Sequence, residues 1–485
     1  MSVHTDHREL NTDHWKLFTD HWGLFTDFYE LTMAQGYLYS GKSEDRATFN
    51  YFFRTNPFQG GFTVFAGLED FLRMLDRFIY DESDIEFLKK QGFKPEFLDY
   101  LKSFHFTGNI MSVDEGEIVF PNVPVMQVEG NLIECQLIES MLLNILNFES
   151  LIATKAFRIK LAAGEKNFSD FGLRRAQGLG AIQAGRAAFI GGASSTSNVL
   201  AGKLYDIPVS GTQAHSWIQS FDSEIEAFRA FIKTDPENSI LLVDTYDTLS
   251  SGVPNAIRVA KEMEKGGHRI KAIRLDSGDL AYLSKNARKM LDDAGLDYVK
   301  IIASNQLNEF VVSSLLKDQE APIDLFGIGT EMITGKSDAA LDGVYKLTEI
   351  DGVPKMKLSD NVEKITLPGK KQVYRCYDSR GCFYRDIIAL YNEDPSDIDF
   401  IYHPLYPELN TNVSNLTKEP LLKNAVEKGQ IVTIQKSLSE IHKHLLERAN
   451  LLPDEHKRFI SPHIYKAGIS GKLMNLKREI INKLK

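Results

Sequence analysis

Ile270-Lys-Ala-Ile-Arg-Leu-Asp-Ser-Gly-Asp279 is a short apolar run that breaks into charge at a Ser-Gly turn. Its length and β-branched content predict a buried strand over residues 270–275. Five more such runs, at residues 167–171, 208–211, 240–243, 298–303 and 323–327, predict strands of the same kind. Between the last four strands lie residues 253–265, 280–294 and 306–317, whose apolar positions recur at helical spacing, the first two stopped by Gly266 and Gly295. Alternating strands and helices imply an α/β unit around a parallel sheet, open or closed into a barrel.

The polar residues of this region sit where each strand ends: Asp170, Thr212 with His215, Asp244, Arg274 with Asp276, Ser304 with Asn305, and Gly329 with Thr330. Active sites of barrels and open α/β sheets are built at that end, because the loops there converge on one mouth. Six coincident sets favour a common site.

Outward from the strands, residues 131–163 carry apolar side chains at helical spacing and predict one long helix or two in succession. Residues 118–120 and 124–128 predict strands before it, and residues 374–384 and 437–451 predict strand-like and helical segments near the end. The chain divides into an N-terminal extension (1–25), an N-terminal α/β domain (26–150), a barrel-like domain (151–345) and a C-terminal portion (346–485). The extension holds a repeat of period seven, Thr12-Asp-His-Trp-Lys-Leu-Phe18 and Thr19-Asp-His-Trp-Gly-Leu-Phe25, continued by Thr26-Asp-Phe-Tyr-Glu-Leu-Thr32. Three such units are too few and too short for a solenoid.

At 485 residues the chain exceeds what one hydrophobic core organises, so more than one domain is expected. A net charge of −10 argues against a nucleic-acid binder, which needs a basic surface. The charged start and the lack of a long apolar span imply neither a secretory signal nor a membrane anchor. Three cysteines, Cys135, Cys376 and Cys382, form no closed disulfide framework, and buried free thiols in a reducing cytoplasm are the expectation.

Four motifs carry chemistry. Ser169-Asp-Phe-Gly-Leu-Arg-Arg175 places Arg174 and Arg175 just after a strand, where the donor fork of arginine suits phosphate; adjacent arginines diverge, so one is expected to face the site. Gly327-Ile-Gly-Thr330 is a turn whose bare amides can approach phosphate oxygens, or simply a turn that needs glycine. In Arg274-Leu-Asp-Ser-Gly-Asp279, Asp276 and Asp279 can hold ribose hydroxyls or a hydrated magnesium ion, with a helix cap by Asp276 as the plain alternative. Gly211-Thr-Gln-Ala-His-Ser-Trp217 offers His215 in a loop after a strand, although a lone histidine is more often a structural one.

Taken in order, Thr26-Asp-Phe-Tyr-Glu-Leu-Thr-Met33, Phe171-Gly-Leu-Arg-Arg-Ala176, Thr196-Ser-Asn-Val-Leu-Ala-Gly202, Gly211-Thr-Gln-Ala-His-Ser216, Arg274-Leu-Asp-Ser-Gly-Asp279 and Gly327-Ile-Gly-Thr330 closely resemble the nicotinate phosphoribosyltransferases. The resemblance spans about residues 26–350. It implies an irregular (β/α) barrel beside an α/β domain built from both ends of the chain, and a homodimer with shared active sites. It implies nicotinate contacts by Tyr29, Thr212 and Arg274, with Tyr29 reaching across the dimer. For phosphoribosyl pyrophosphate it implies Arg174, Arg175, Gly327, Gly329 and Thr330; for magnesium, Asp276 and Asp279, which also join His215 as catalytic residues. His215 is implied to be phosphorylated by ATP, coupling ATP hydrolysis to nucleotide synthesis in NAD salvage. Nicotinamide-using relatives carry an acid after the Gly-Thr pair, and Gln213 there points to nicotinate instead.

Overall fold

The computed structural model describes residues 22–358 and 366–484. The first repeat unit, Thr12 to Phe18, lies outside them, and the second is described only from Trp22 onward.

The alternating middle of the chain forms a six-stranded parallel sheet in the order Ser195–Thr196, Asn167–Asp170, Leu325–Ile328, Lys300–Ser304, Ala272–Leu275 and Ile240–Leu242. The last strand in sequence pairs with the first, as in a barrel wound in chain order. Backbone ladders leave one side open: residues 208–211 make a single bridge, Val209 to Thr196, and no ladder joins them to Ile240–Leu242 among the described residues. The amide of Gln213 crosses this seam and donates to the carbonyl of Ile240 at 3.1 Å. The short strand Ser195–Thr196 escapes a sequence reading because two residues carry no period.

The connecting helices follow their apolar spacing. Val253–Lys265 begins with Pro254 in its first turn, stops at Gly266 and buries Val253, Ala256, Val259, Ala260 and Met263. Each such aliphatic side chain removed from water contributes about 1.5–3 kcal/mol when large. Leu280–Asp293 is capped by Asp279, whose carboxylate accepts from Tyr282 N at 3.0 Å. The cap therefore belongs to Asp279, not Asp276. Glu309–Ser313 continues into a wider turn at Ser314–Asp318.

A second, antiparallel sheet joins distant parts of the chain, in the order Val353–Pro354, Gly343–Ile350, Arg46–Phe53, Met126–Asn131, Asn109–Ser112, Lys423–Glu427 and Gln430–Ile431. The C-terminal residues form a further sheet that includes Lys371–Tyr377, Phe383–Leu390 and Ala467–Ser470. Lys371 stitches the two together: its Nζ donates to Asn50 Oδ1 at 2.8 Å and its backbone N to Gln127 Oε1 at 2.8 Å. The chain crosses from the antiparallel to the parallel sheet along Leu132–Leu137 and the buried helix Glu139–Ala163. No helix among the described residues is long and apolar enough to cross a membrane.

Candidate active site

Register decides which side chains meet. Residues paired in a parallel ladder share a face, and Ser304 pairs with Gly327, Gly327 with Ser169, and Ser169 with Ser195. Arg274 pairs with Ile302 and Leu242, so Asp276 and Asp244, two residues further on, continue the layer of Ser304. Hydrogen bonds tie this layer together at the C-terminal ends of the strands. Asp244 Oδ2 accepts from Asp276 N and Ser277 Oγ, each at 2.7 Å, and Ser304 Oγ donates to Asp276 Oδ1. Further round, the hydroxyls of Ser169, Ser195 and Ser210 form a chain at 2.7 and 2.6 Å.

Gly327 interrupts the layer, and the ring of Phe171 occupies the space its side chain would take: a Cβ there would lie 2.5 Å from Phe171 Cδ2. At Gly329 a Cβ would lie 3.0 Å from the Phe171 carbonyl oxygen. Both glycines thus let the 171–172 loop pack close to the Gly-Ile-Gly-Thr turn. Thr330, exposed, opens the short helix Thr330–Ile333. Asp170 points to the opposite face from Ser169; its carboxylate accepts from Gly172 N at 2.8 Å and Thr196 Oγ1 at 2.7 Å, and burial pushes its pKa up. It braces the loop that carries Arg174 and Arg175, both exposed on the turn Leu173–Arg175.

His215 starts the helix His215–Gln219. Its Nδ1 lies 3.0 Å from Thr245 Oγ1, and its Nε2 lies 3.7 Å from Asp276 Oδ2. Arg274 stands beside it, largely buried, donating through Nη1 to Thr212 Oγ1 and to Gln213 O (3.3 Å), with Nη2 3.7 Å from Asp276 Oδ1. Burial pulls the Arg274 pKa down; Asp276 and Asp244 oppose that pull and the positive charge of Arg174 adds to it. Arg174 is thus close enough for its field to reach Arg274. Three buried polar atoms of this group make no hydrogen bond to the described residues: Arg274 Nε, Asp244 Oδ1 and Gln213 Oε1. Buried polar atoms are rarely left unpaired, and clusters of them mark places where a ligand completes the bonding.

Thr212, His215, Arg274 and Asp276 are therefore brought into direct contact, while Asp279 is turned toward its helix cap. Tyr29 stands elsewhere, 46% exposed on the helix Phe28–Tyr39, and the groups that act on it, Asp27, Glu30 and Glu139, are not part of the strand-end cluster. Phe171 and the serine chain were not singled out by local sequence, because only the register across strands assembles them. Trp217, two residues after His215 in sequence, packs against the core and donates to Ala227 O.

Comparison with known proteins finds matches along most of the chain. Residues 24–147 match the nicotinate phosphoribosyltransferase N-terminal domain, residues 166–380 the nicotinate phosphoribosyltransferase family, and residues 370–477 the corresponding C-terminal domain. The chain is 44% identical to the nicotinate phosphoribosyltransferase of Bacillus subtilis (strain 168), over 94% of each. It is 39% identical to that of Caenorhabditis elegans, over 92% of this chain and 91% of the relative. Among solved structures, human nicotinic acid phosphoribosyltransferase superposes with a TM-score of 0.84 at 32% identity, over 95% of this chain and 100% of that one.

Proposed function

Since the chain belongs to the nicotinate phosphoribosyltransferase family, we propose that it makes nicotinate mononucleotide and pyrophosphate from nicotinate and 5-phosphoribosyl 1-pyrophosphate. ATP hydrolysis through a phosphohistidine at His215 drives the synthesis, which serves the salvage route to NAD. The observation that carries this reading is the contact group Thr212–Arg274–Asp276–His215, which sets an anion-binding guanidinium beside a potential nucleophile.

Arg274 is held from below by Thr212 and Gln213, and its guanidinium supplies the cation that a pyridine carboxylate requires. The neutral side chain of Gln213 spends its amide N–H on Ile240 O, so it brings no negative charge against that carboxylate. In the glycosyl step the pyridine nitrogen forms a bond to the anomeric carbon as the bond from that carbon to pyrophosphate breaks, through a transition state with oxocarbenium character. The exposed Arg174 and Arg175, with the amides of Gly327, Gly329 and Thr330, form the phosphate-binding side of the mouth and stabilise the leaving charge.

In the coupling step a ring nitrogen of His215 takes the γ-phosphoryl group of ATP; an N–P bond forms, the bond to ADP breaks, and water later cleaves the N–P bond to release phosphate. Thr245 orients the ring through Nδ1, and Asp276 faces Nε2.

Magnesium fits the site as a partner of substrate phosphates. No group of three or more His, Cys, Asp or Glu among the described residues can hold a metal alone, and magnesium prefers one or two carboxylates completed by water and phosphate. Asp276 would hold it, with the unpartnered oxygen of Asp244 beside it. Asp279 has one oxygen left, the other being spent on Tyr282 N. Bound there, the ion neutralises phosphate charge.

The enzyme works as a homodimer in the cytoplasm. Leu173, Leu179, Val199, Leu200, Leu204 and Val209, on segments around the mouth, are exposed, an apolar surface of the kind a partner subunit covers. Through that association the exposed ring of Tyr29 reaches the pyridine of the other subunit. The three cysteines are free, in keeping with a reducing compartment.

The His215→Ala variant tests the coupling. It is expected to lose ATP hydrolysis and acid-labile phosphate on the protein while retaining some ATP-independent synthesis; undiminished ATP hydrolysis would refute the phosphohistidine.

A further inference from the structure

We propose that Gln213 is a positioning residue: its side-chain amide staples residues 208–213 across the open seam of the parallel sheet and thereby fixes the seat of Arg274. The proposal rests on the reading above that Arg274 binds the carboxylate of nicotinate.

Residues 208–213 are tied firmly on one side only. Against the strand Ser195–Thr196, Thr196 N donates to Pro208 O and Ser210 N to Thr196 O, each at 3.0 Å, and the hydroxyls of Ser195 and Ser210 lie 2.6 Å apart. Beyond Ser210 that support ends. Gly211, Thr212 and Gln213 bond to no other backbone group among the described residues.

Across the seam stands Ile240–Leu242, the edge strand of the sheet. Backbone groups alternate in direction along a paired strand. Ser239 O accepts from Lys271 N at 2.9 Å and Val243 N donates to Arg274 O at 3.2 Å, so residues 239, 241 and 243 face the neighbouring strand and the Ile240 carbonyl faces the seam. Gln213 Nε2 donates to that carbonyl at 3.1 Å, and no other hydrogen bond joins residues 208–213 to this strand among the described residues. The buried side chain of Gln213 thus takes the place of a missing ladder bond. Because a carbonyl only accepts, the amide nitrogen must face Ile240, which leaves Gln213 Oε1 buried without a partner among the described residues. An apolar side chain of that size would fill the space without that cost. What the amide adds is a fixed distance between the segment and the sheet.

That distance reaches the pocket through Thr212. Thr212 Oγ1 and the Gln213 carbonyl both accept from Arg274 Nη1. Arg274 Nε makes no hydrogen bond to the described residues, and Nη2 only approaches Asp276 Oδ1 at 3.7 Å, so the segment supplies the two hydrogen bonds that aim the guanidinium. His215, two residues further on, has separate support in Thr245 and in the packing of Trp217. An acid at position 213 cannot serve as the staple, since its carboxylate would meet the Ile240 carbonyl acceptor to acceptor.

Gln213→Met in the full-length enzyme keeps volume and neutrality and removes the donor. It is expected to raise the nicotinate KM about 3- to 10-fold, the worth of one neutral hydrogen bond, while the KM values for 5-phosphoribosyl 1-pyrophosphate and ATP stay within about twofold. Gln213→Glu should raise the nicotinate KM at least as far. In an Arg274→Gln background Gln213→Met should add nothing, because its effect passes through the guanidinium. Effects that multiply in that double variant would mean that Gln213 meets the pyridine directly. A lowered melting temperature with the nicotinate KM unchanged, or a rise of all three KM values together, would mean that it only fills space; any of these results overturns the positioning role. Arg274→Gln alone separates the two levels: an unchanged nicotinate KM there removes Arg274 as the cation for nicotinate, whereas a raised KM there beside an unaffected Gln213→Met enzyme removes only the staple.

Discussion

Gly327→Ala is the smallest change that reaches the centre of the site. The added methyl would sit 2.5 and 2.6 Å from Cδ2 and Cε2 of Phe171 and 3.3 Å from Ser304 Cβ, so the ring must move. It cannot move with its backbone, because Phe171 N donates to Ile328 O at 2.8 Å and the next residue is held by Asp170. The ring must therefore rotate away from the layer and into the mouth. Overpacking of this kind costs about 1–3 kcal/mol. Activity should suffer more than stability, since the displaced ring takes space that substrate needs; a loss of at least about tenfold in kcat/KM corresponds to about 1.4 kcal/mol of lost transition-state binding. Thermal unfolding and nucleotide synthesis, measured on Gly327→Ala, Phe171→Leu and the pair, check both parts. The smaller leucine should recover stability in the alanine background. An unchanged Gly327→Ala enzyme, or a double variant less stable than either single, would refute the account of why glycine stands there.

Arg274→Gln should raise the nicotinate KM by about 10- to 150-fold, the loss of a charge-assisted hydrogen bond worth about 1.5–3 kcal/mol, and should narrow the preference for nicotinate over nicotinamide; steady-state rates with both bases measure it. Arg375→Met should destabilise the fold by about 3–5 kcal/mol, because the buried guanidinium is shared by Glu117 and Asp386, whose carboxylates would be left without it; denaturant midpoints report this. Lys371 is buried, which pulls its pKa down from 10.5 to about 7. The unfolded chain therefore holds a proton that the folded one has lost between about pH 7 and 10.5, and this residue makes stability rise with pH across that window. Unfolding midpoints of Lys371→Met should show that rise reduced, and an identical slope would refute it.

Where local pattern decides structure, the sequence was readable. The helix Val253–Lys265 announces itself by the spacing of its apolar positions and the following Gly266, and the helix Leu438–Leu451 falls where residues 437–451 predict one. The strand-end sets are legible for the same reason: an apolar run followed by charge is a local signal. The open seam of the parallel sheet is not legible, because residues 208–211 look like a strand and only tertiary geometry limits them to one bridge. Likewise Asp276 and Asp279 are equivalent as letters, and the start of the helix at Leu280 decides that Asp279 caps while Asp276 faces His215. Phe171 reads as an ordinary strand-end hydrophobe until pairing puts it over Gly327.

The most direct test is product formation by the purified protein with 5-phosphoribosyl 1-pyrophosphate and magnesium, comparing nicotinate with nicotinamide, each with and without ATP. The arrangement of Arg274, Gln213 and His215 requires nicotinate mononucleotide to form in preference, and faster with ATP. No product from either base, or a preference for nicotinamide indifferent to ATP, would contradict it.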